Sequence, residues 1–167
     1  MVHWCSVFGE FLMATHTVKL AEWASGLVSA DVPQTVDRRC RLQLLHVISQ
    51  AQSVENRAQL RSAGPKRGPA KLVGGGSSNA VTAARAHAEC AAAGDQLDYL
   101  LGGCTGVGAV SAALACSKGK KFGDVLCAIA AANEVAGRVG AAMTLGPHHG
   151  AGNGWVHVVS AATAAAK

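Results

Sequence analysis

Two glycine-rich bends hold most of the side chains that could do chemistry. The first, "GDQLDYLLGGCTG", offers Asp95, Asp98, Tyr99, Cys104 and Thr105. The second, "TLGPHHGAGNGWVH", offers His148, His149, Asn153 and His157 and contains no carboxylate. A histidine or carboxylate held by such a bend suits proton transfer, with backbone amides near enough to meet a developing negative charge. Glycine permits that close approach because it has no Cβ. Taken alone, a histidine pair beside a Pro-Gly turn also describes an ordinary surface turn.

Other chemistries find less support. His148, His149 and His157 with Cys104 or Asp98 could supply metal ligands, but adjacent histidines rarely converge on one ion. Neither H-x-x-x-H nor H-E-x-x-H occurs, so no metal site is expected. Cys104 follows two glycines, yet no Cys–His spacing marks it as a nucleophile. The segment "GGGSSN" lacks the Lys-Ser/Thr ending of a phosphate loop.

The elements that must position these groups are helical. Half of the 167 residues are apolar but only 4% are aromatic, and alanine and glycine supply much of the apolar share. Alanine has the highest helix propensity, and the alternation of a half-buried strand is missing, so the expected class is all-α. Residues 16–28 predict an amphipathic helix with Leu20, Trp23 and Leu27 on one face. Asp31 and Pro33 start a second helix reaching about Gln50, with Val36, Cys40, Leu44 and Val47 inward and Asp37, Arg38 and Arg41 outward. Residues 54–60 extend it or form a separate turn. Residues 61–78 read as a basic, Gly/Pro-rich loop, after which Asn79 caps a helix over 80–93.

Further helices are expected over about 106–117, from Asp124 onward, and over 155–166. The helix from Asp124 has Leu126, Ile129, Ala132, Ala136, Val139 and Met143 on one stripe, with Glu134 and Arg138 as an i,i+4 pair. The last helix is apolar on nearly every side, as a central helix would be. It should therefore be covered, by another subunit or by a continuation of the chain. Residues 99–117 and 124–143 approach membrane-spanning length. Glycines in the first and Asp124, Glu134 and Arg138 in the second point instead to buried helices of a non-membrane protein.

Fifteen Lys and Arg against ten Asp and Glu give a net charge of +5. Arg57, Arg61, Lys66, Arg67 and Lys71 carry that whole excess within fifteen acid-free residues. Such a loop could meet nucleic acid, but no aromatic is interleaved for base stacking, and a solvated connector is the expectation. Six dispersed cysteines without a C-x-x-C, and an N-terminus without a basic n-region, point to reduced thiols and a cytoplasmic location.

The order of these pieces resembles the MmgE/PrpD family. "VKLAEWASGLVSADVPQTVDRRCRLQLLHVI" is similar to that family's opening helices, and "LDYLLGGCTGVGAVSAALACSKGKKFGDVLCAIAAANEVAGRVGAAM" to its central block. "GPHHGAGNGWVHVVSAATAAAK" is similar to the following block, a histidine before a Gly-rich turn into an Ala-rich helix. The resemblance covers residues 17–167; residues 1–16 are an N-terminal extension without a counterpart. The family includes 2-methylcitrate dehydratase, cis-aconitate decarboxylase and iminodisuccinate epimerase.

The resemblance implies part of a helical domain and lyase-like chemistry beside the carboxylates of a small polycarboxylic acid, with no cofactor or metal. It implies His148, or His149 beside it, as the acid–base group and Asp98 as its partner, with Tyr99, Cys104 and Thr105 around the substrate. The chain departs from the pattern in three ways. Leu97 stands beside Asp98 where the family pairs acids, Cys104 and Val107 stand where it carries histidines, and its second, α/β domain has no counterpart here. The alternative expectation is a non-enzymatic helical module that self-associates through exposed apolar helices.

Overall fold

A computed structural model describes residues 15–52, 67–93, 98–100, 103–143 and 154–167. Among them the chain forms six α-helices: α1 (His16–Gly26), α2 (Gln34–Ala51), α3 (Ala80–Ala93), α4 (Gly106–Ala115), α5 (Phe122–Ala142) and α6 (Gly154–Ala166). The all-α expectation holds, with one small addition. Inside the segment expected to be a loop, β1 (Ala70–Lys71) pairs antiparallel with β2 (Ser77–Ser78), in the register Ala70 to Ser78 and Lys71 to Ser77. Gly75 and Gly76 close that hairpin with φ of 99° and 93°, which L side chains rarely adopt.

Local chemistry starts and stops the helices. Thr15 caps α1, its hydroxyl accepting from the Val18 amide at 3.3 Å. Pro33 occupies the cap of α2, where its missing N–H costs nothing and its carbonyl accepts from the Val36 and Asp37 amides at 2.9 Å. Asn79 caps α3 as expected, its Oδ1 accepting from the Thr82 amide at 2.8 Å. The helix expected from Asp124 begins earlier, at Phe122. Glu134 and Arg138 pair at 2.5 Å and Asp37 and Arg41 at 2.6 Å; such solvent-screened i,i+4 pairs contribute little to stability.

The centre of the molecule is α4, not α6. Nine of its ten residues are buried, and it packs against α2, α3, α5 and α6. The final helix, α6, buries Val156, Ser160 and Ala164 but leaves Trp155 and Val158 more than 60% exposed, so part of its apolar surface is uncovered among the described residues. Both sequences are apolar all round, so periodicity could not separate them. Glycine does: a Cβ at Gly106 of α4 would meet the Asp98 carboxylate and Gln43, and one at Gly108 would meet Ser160 and the His157 backbone, whereas one at Gly154 of α6 would meet nothing within 4 Å among the described residues.

Core stripes follow the predicted spacing, with losses at the ends. In α2, Cys40, Leu44 and Val47 are buried while Val36 is exposed; in α5, Leu126, Ile129, Ala132 and Ala136 are buried while Met143 is exposed. In α1 only Ala24 is buried and Trp23 is 42% exposed, so the expected inward face of Leu20, Trp23 and Leu27 is largely unused. α5 is of membrane-crossing length and composition, but most of its apolar window is buried within the fold.

The hairpin is pinned by one buried histidine. His87 of α3 is fully buried, and its Nε2 accepts from the Val73 amide at 3.1 Å. An accepting Nε2 requires the neutral ring with its proton on Nδ1. Burial holds the His87 pKa below its ordinary 6.5, an effect only partly offset by the Ser111 backbone. Protonation thus favours the unfolded chain, so His87's contribution is complete above about pH 6.5 and is lost as pH falls below that value. His87→Leu should cost about 1–3 kcal/mol, the penalty of stranding the Val73 amide, and should flatten the fall in denaturation midpoint between neutral and mildly acidic pH. An unchanged acid limb in that variant would contradict this role.

Candidate functional site

The groups of the first bend converge on the N-terminal end of α4. Leu100 and Gly103 exchange two backbone hydrogen bonds, at 2.8 and 3.1 Å, and this turn delivers Cys104 and Thr105 to the helix start. Asp98 precedes the turn, and its Oδ2 accepts from Gln43 Nε2 of α2. A carboxylate can only accept, which fixes the orientation of the Gln43 amide. The same amide engages Asn133 of α5: Asn133 Nδ2 donates to Gln43 Oε1 at 2.7 Å, and Gln43 Nε2 donates to Asn133 Oδ1 at 3.3 Å. One carboxylate thus ties the bend to α2 and, through Gln43, to α5.

Gly106 makes room for this arrangement. A Cβ there would lie 2.5 Å from both Asp98 carboxylate oxygens and 2.6 Å from Gln43 Nε2. The carboxylate accordingly sits on the first residue of α4, where unsatisfied amides and the helix dipole favour negative charge. Any side chain at position 106 would displace it.

Cys104 is fully buried, with Sγ 3.8 Å from Asp98 Oδ1. Burial first, and then the Asp98 charge, push its thiol up to about 11. It is therefore protonated at neutral pH and is not an activated nucleophile. Thr105 is 1% exposed, and its Oγ1 is buried without a hydrogen-bond partner among the described residues. Tyr99, by contrast, is 65% exposed. Of the three residues expected around the substrate, two are buried and one faces solvent.

His157 of α6 also reaches this end of α4. Burial holds its pKa below 6.5, partly offset by the Asp98 carboxylate, and its Nδ1 is buried without a partner among the described residues. Its neighbour Val156 closes on Gly103, where an added Cβ would meet Val156 Cγ2 at 2.9 Å. His157 is thus close enough to Asp98 to feel its charge. His148, His149, Asn153 and Asp95 lie outside the described residues, as do Arg57, Arg61 and Lys66 of the basic segment. Arg67 and Lys71 are exposed. Among the described residues no group of three His, Cys, Asp or Glu is placed to hold a metal ion.

Gln43 and Asn133 are the functional candidates that sequence reasoning missed. Asn133 had a visible signal: an amide interrupting the run "AIAAANEVAG" on a buried helix. Gln43 had none, because its partners lie 55 and 90 residues away. Comparison of the chain with family models, with curated proteins and with solved structures finds no match.

Thiol chemistry checks the geometry directly. Brief alkylation of the native protein at neutral pH, mapped by peptide mass, should label half-buried Cys116 well before Cys104, Cys40 or Cys127, all of which are buried. Labelling of Cys104 as fast as Cys116 would contradict the buried, protonated thiol.

Proposed function

We propose that the chain is the partial helical domain of an MmgE/PrpD-type protein acting in the cytoplasm. Its parent chemistry is lyase-like: dehydration, decarboxylation or epimerisation of a small polycarboxylic acid by proton transfer beside a carboxylate, without metal or cofactor. His148, or His149 beside it, is the acid–base group, and Asp98 is its positioning partner. One observation carries this reading. The Asp98 carboxylate is held on the first residue of α4 by an amide relay from two other helices, and the second bend's helix brings a neutral histidine to the same end. A carboxylate held in one orientation can position a general base and stabilise its protonated form.

Turnover of 2-methylcitrate or citrate, followed by the ultraviolet absorbance of the alkene product, tests it. His148→Ala should lower kcat by about 10²–10⁴-fold, the usual worth of a positioned acid–base group, while helical content stays unchanged. Asp98→Asn should also lower kcat. Turnover unaffected by His148→Ala, or absent in the native protein, would contradict the proposal.

A second reading is favoured by one surface. Trp155 and Val158 stand one turn apart on α6, 62% and 63% exposed, on the face turned away from α4. We propose this face as the contact of a homodimer, whether or not the chain is catalytic. Sedimentation should give twice the chain mass, and Trp155→Glu with Val158→Glu should give the monomer. A native protein that sediments as a monomer at all concentrations would contradict it. Nucleic-acid binding through Arg67, Lys71 and the neighbouring basic residues is the weakest reading, and no described feature adds support.

A further inference from the structure

The β1–β2 hairpin cannot hold itself. Its ladder is two residue pairs long, and an isolated two-stranded hairpin is marginal in water even when longer. What holds it lies beneath it. Ala70 and Leu72 are buried in a small cluster with residues of α2, α3 and α4 that include Ala51, Ala86 and Cys90. This cluster shares no buried residue with the main one drawn from α2, α3, α4, α5 and α6. The hairpin is thus a separately docked unit, and its loss removes nothing from the main cluster.

Docking is closed at one residue. Both backbone groups of Val73 are taken: its N–H donates to His87 Nε2 at 3.1 Å, and its carbonyl accepts from Gln52 Nε2 at 2.7 Å. The two bonds answer differently to acid. A glutamine amide goes on donating, whereas a protonated imidazole has no acceptor to offer. The Val73 N–H would then face a second donor at a fully buried ring. Among the described residues no charge compensates a proton there. Residues 106–115 of α4 include no titratable side chain. On α3, Arg85 and Glu89 are exposed and paired with each other at 2.6 Å, and burial keeps the Cys90 thiol uncharged by raising its pKa. Lys71 of β1 is exposed and itself positive. On α2, His46 is half-buried, and Asp37, Arg38, Arg39 and Arg41 lie in its N-terminal half. Burial outweighs the one opposing effect on the His87 ring, that of the Ser111 backbone.

We propose that His87 is a proton-operated latch: a proton on its Nε2 releases the 70–78 hairpin from α3 and α4 while the main core stays closed. When the hairpin lifts, water reaches the ring, which then takes up a proton near its ordinary pKa of 6.5. Nε2 becomes a donor, and the hairpin cannot redock until that proton leaves. The docked form is therefore fully favoured above about pH 6.5 and loses ground as pH falls below that value. Release takes Ala70 and Leu72 out of the small cluster.

Amide hydrogen exchange of the full chain between about pH 7.5 and pH 5, corrected for the intrinsic rate of each amide, tests this. The Leu72 and Val73 amides should open more readily than those of residues 110–113 in α4 at every pH. Below pH 6.5 their opening should rise by up to about tenfold per pH unit. His87→Gln puts an amide oxygen, which accepts at any of these pH values, in place of Nε2. It should abolish the rise and keep the hairpin protected at about pH 5. Two results in the native protein alone would overturn the proposal: hairpin amides that exchange only together with those of α4, or hairpin opening that does not change with pH. An undiminished acid-driven rise in folded His87→Gln would overturn it as well.

Discussion

Everything in this molecule depends on how closely other backbones can approach α4. Its surface consists almost wholly of Gly, Ala, Ser and Val, and it is buried along nearly its whole length. Small side chains remove little apolar area each, so cohesion comes from short distances and many dispersion contacts. Gly103, Gly106 and Gly108 mark where the approach is tightest, against Val156, Asp98 with Gln43, and the His157 carbonyl, respectively. A core made this way tolerates added volume poorly. It also explains how a chain with so few aromatics still closes around a continuous cluster drawn from α2, α3, α4, α5 and α6.

The same constraint shapes the candidate site. Because Gly106 has no side chain, the Asp98 carboxylate rests on the start of α4, and the Gln43–Asn133 amide pair can reach it from two other helices. The cost of holding a carboxylate there is lowered by the helix dipole and by charge-assisted hydrogen bonding. Cys104, held against that carboxylate, becomes an inert thiol with its pKa raised, and His157 stays neutral through burial. Burial is the larger cause in both, with the Asp98 charge adding to the shift of Cys104 and opposing that of His157.

Much of the helical framework was legible in the sequence because it is written locally. Asn79 before an alanine run, Pro33 at a helix start and the Cys40–Leu44–Val47 spacing each act within a few residues, and each appears where expected. Which of the apolar helices is enclosed was not legible. Residues 106–115 and 154–166 are both apolar on all sides, and only contacts made far along the chain decide which one is enclosed. Trp23 and Val36 have core-like identity and spacing, yet sit on faces that no described helix covers. For the site, glycine-rich bends located Asp98, Cys104 and Thr105. The amide pair that holds Asp98 arises from tertiary proximity, and His87 was hidden within an alanine-rich helix.

Amide hydrogen exchange most directly tests whether α4 is the element on which the others depend. Amides of residues 110–113 should exchange only through global unfolding, with the same free energy as the denaturation equilibrium, while α1 and the outer turns of α6 open at lower cost. Exchange in α4 that is faster than in α1 would contradict the central place given to this helix.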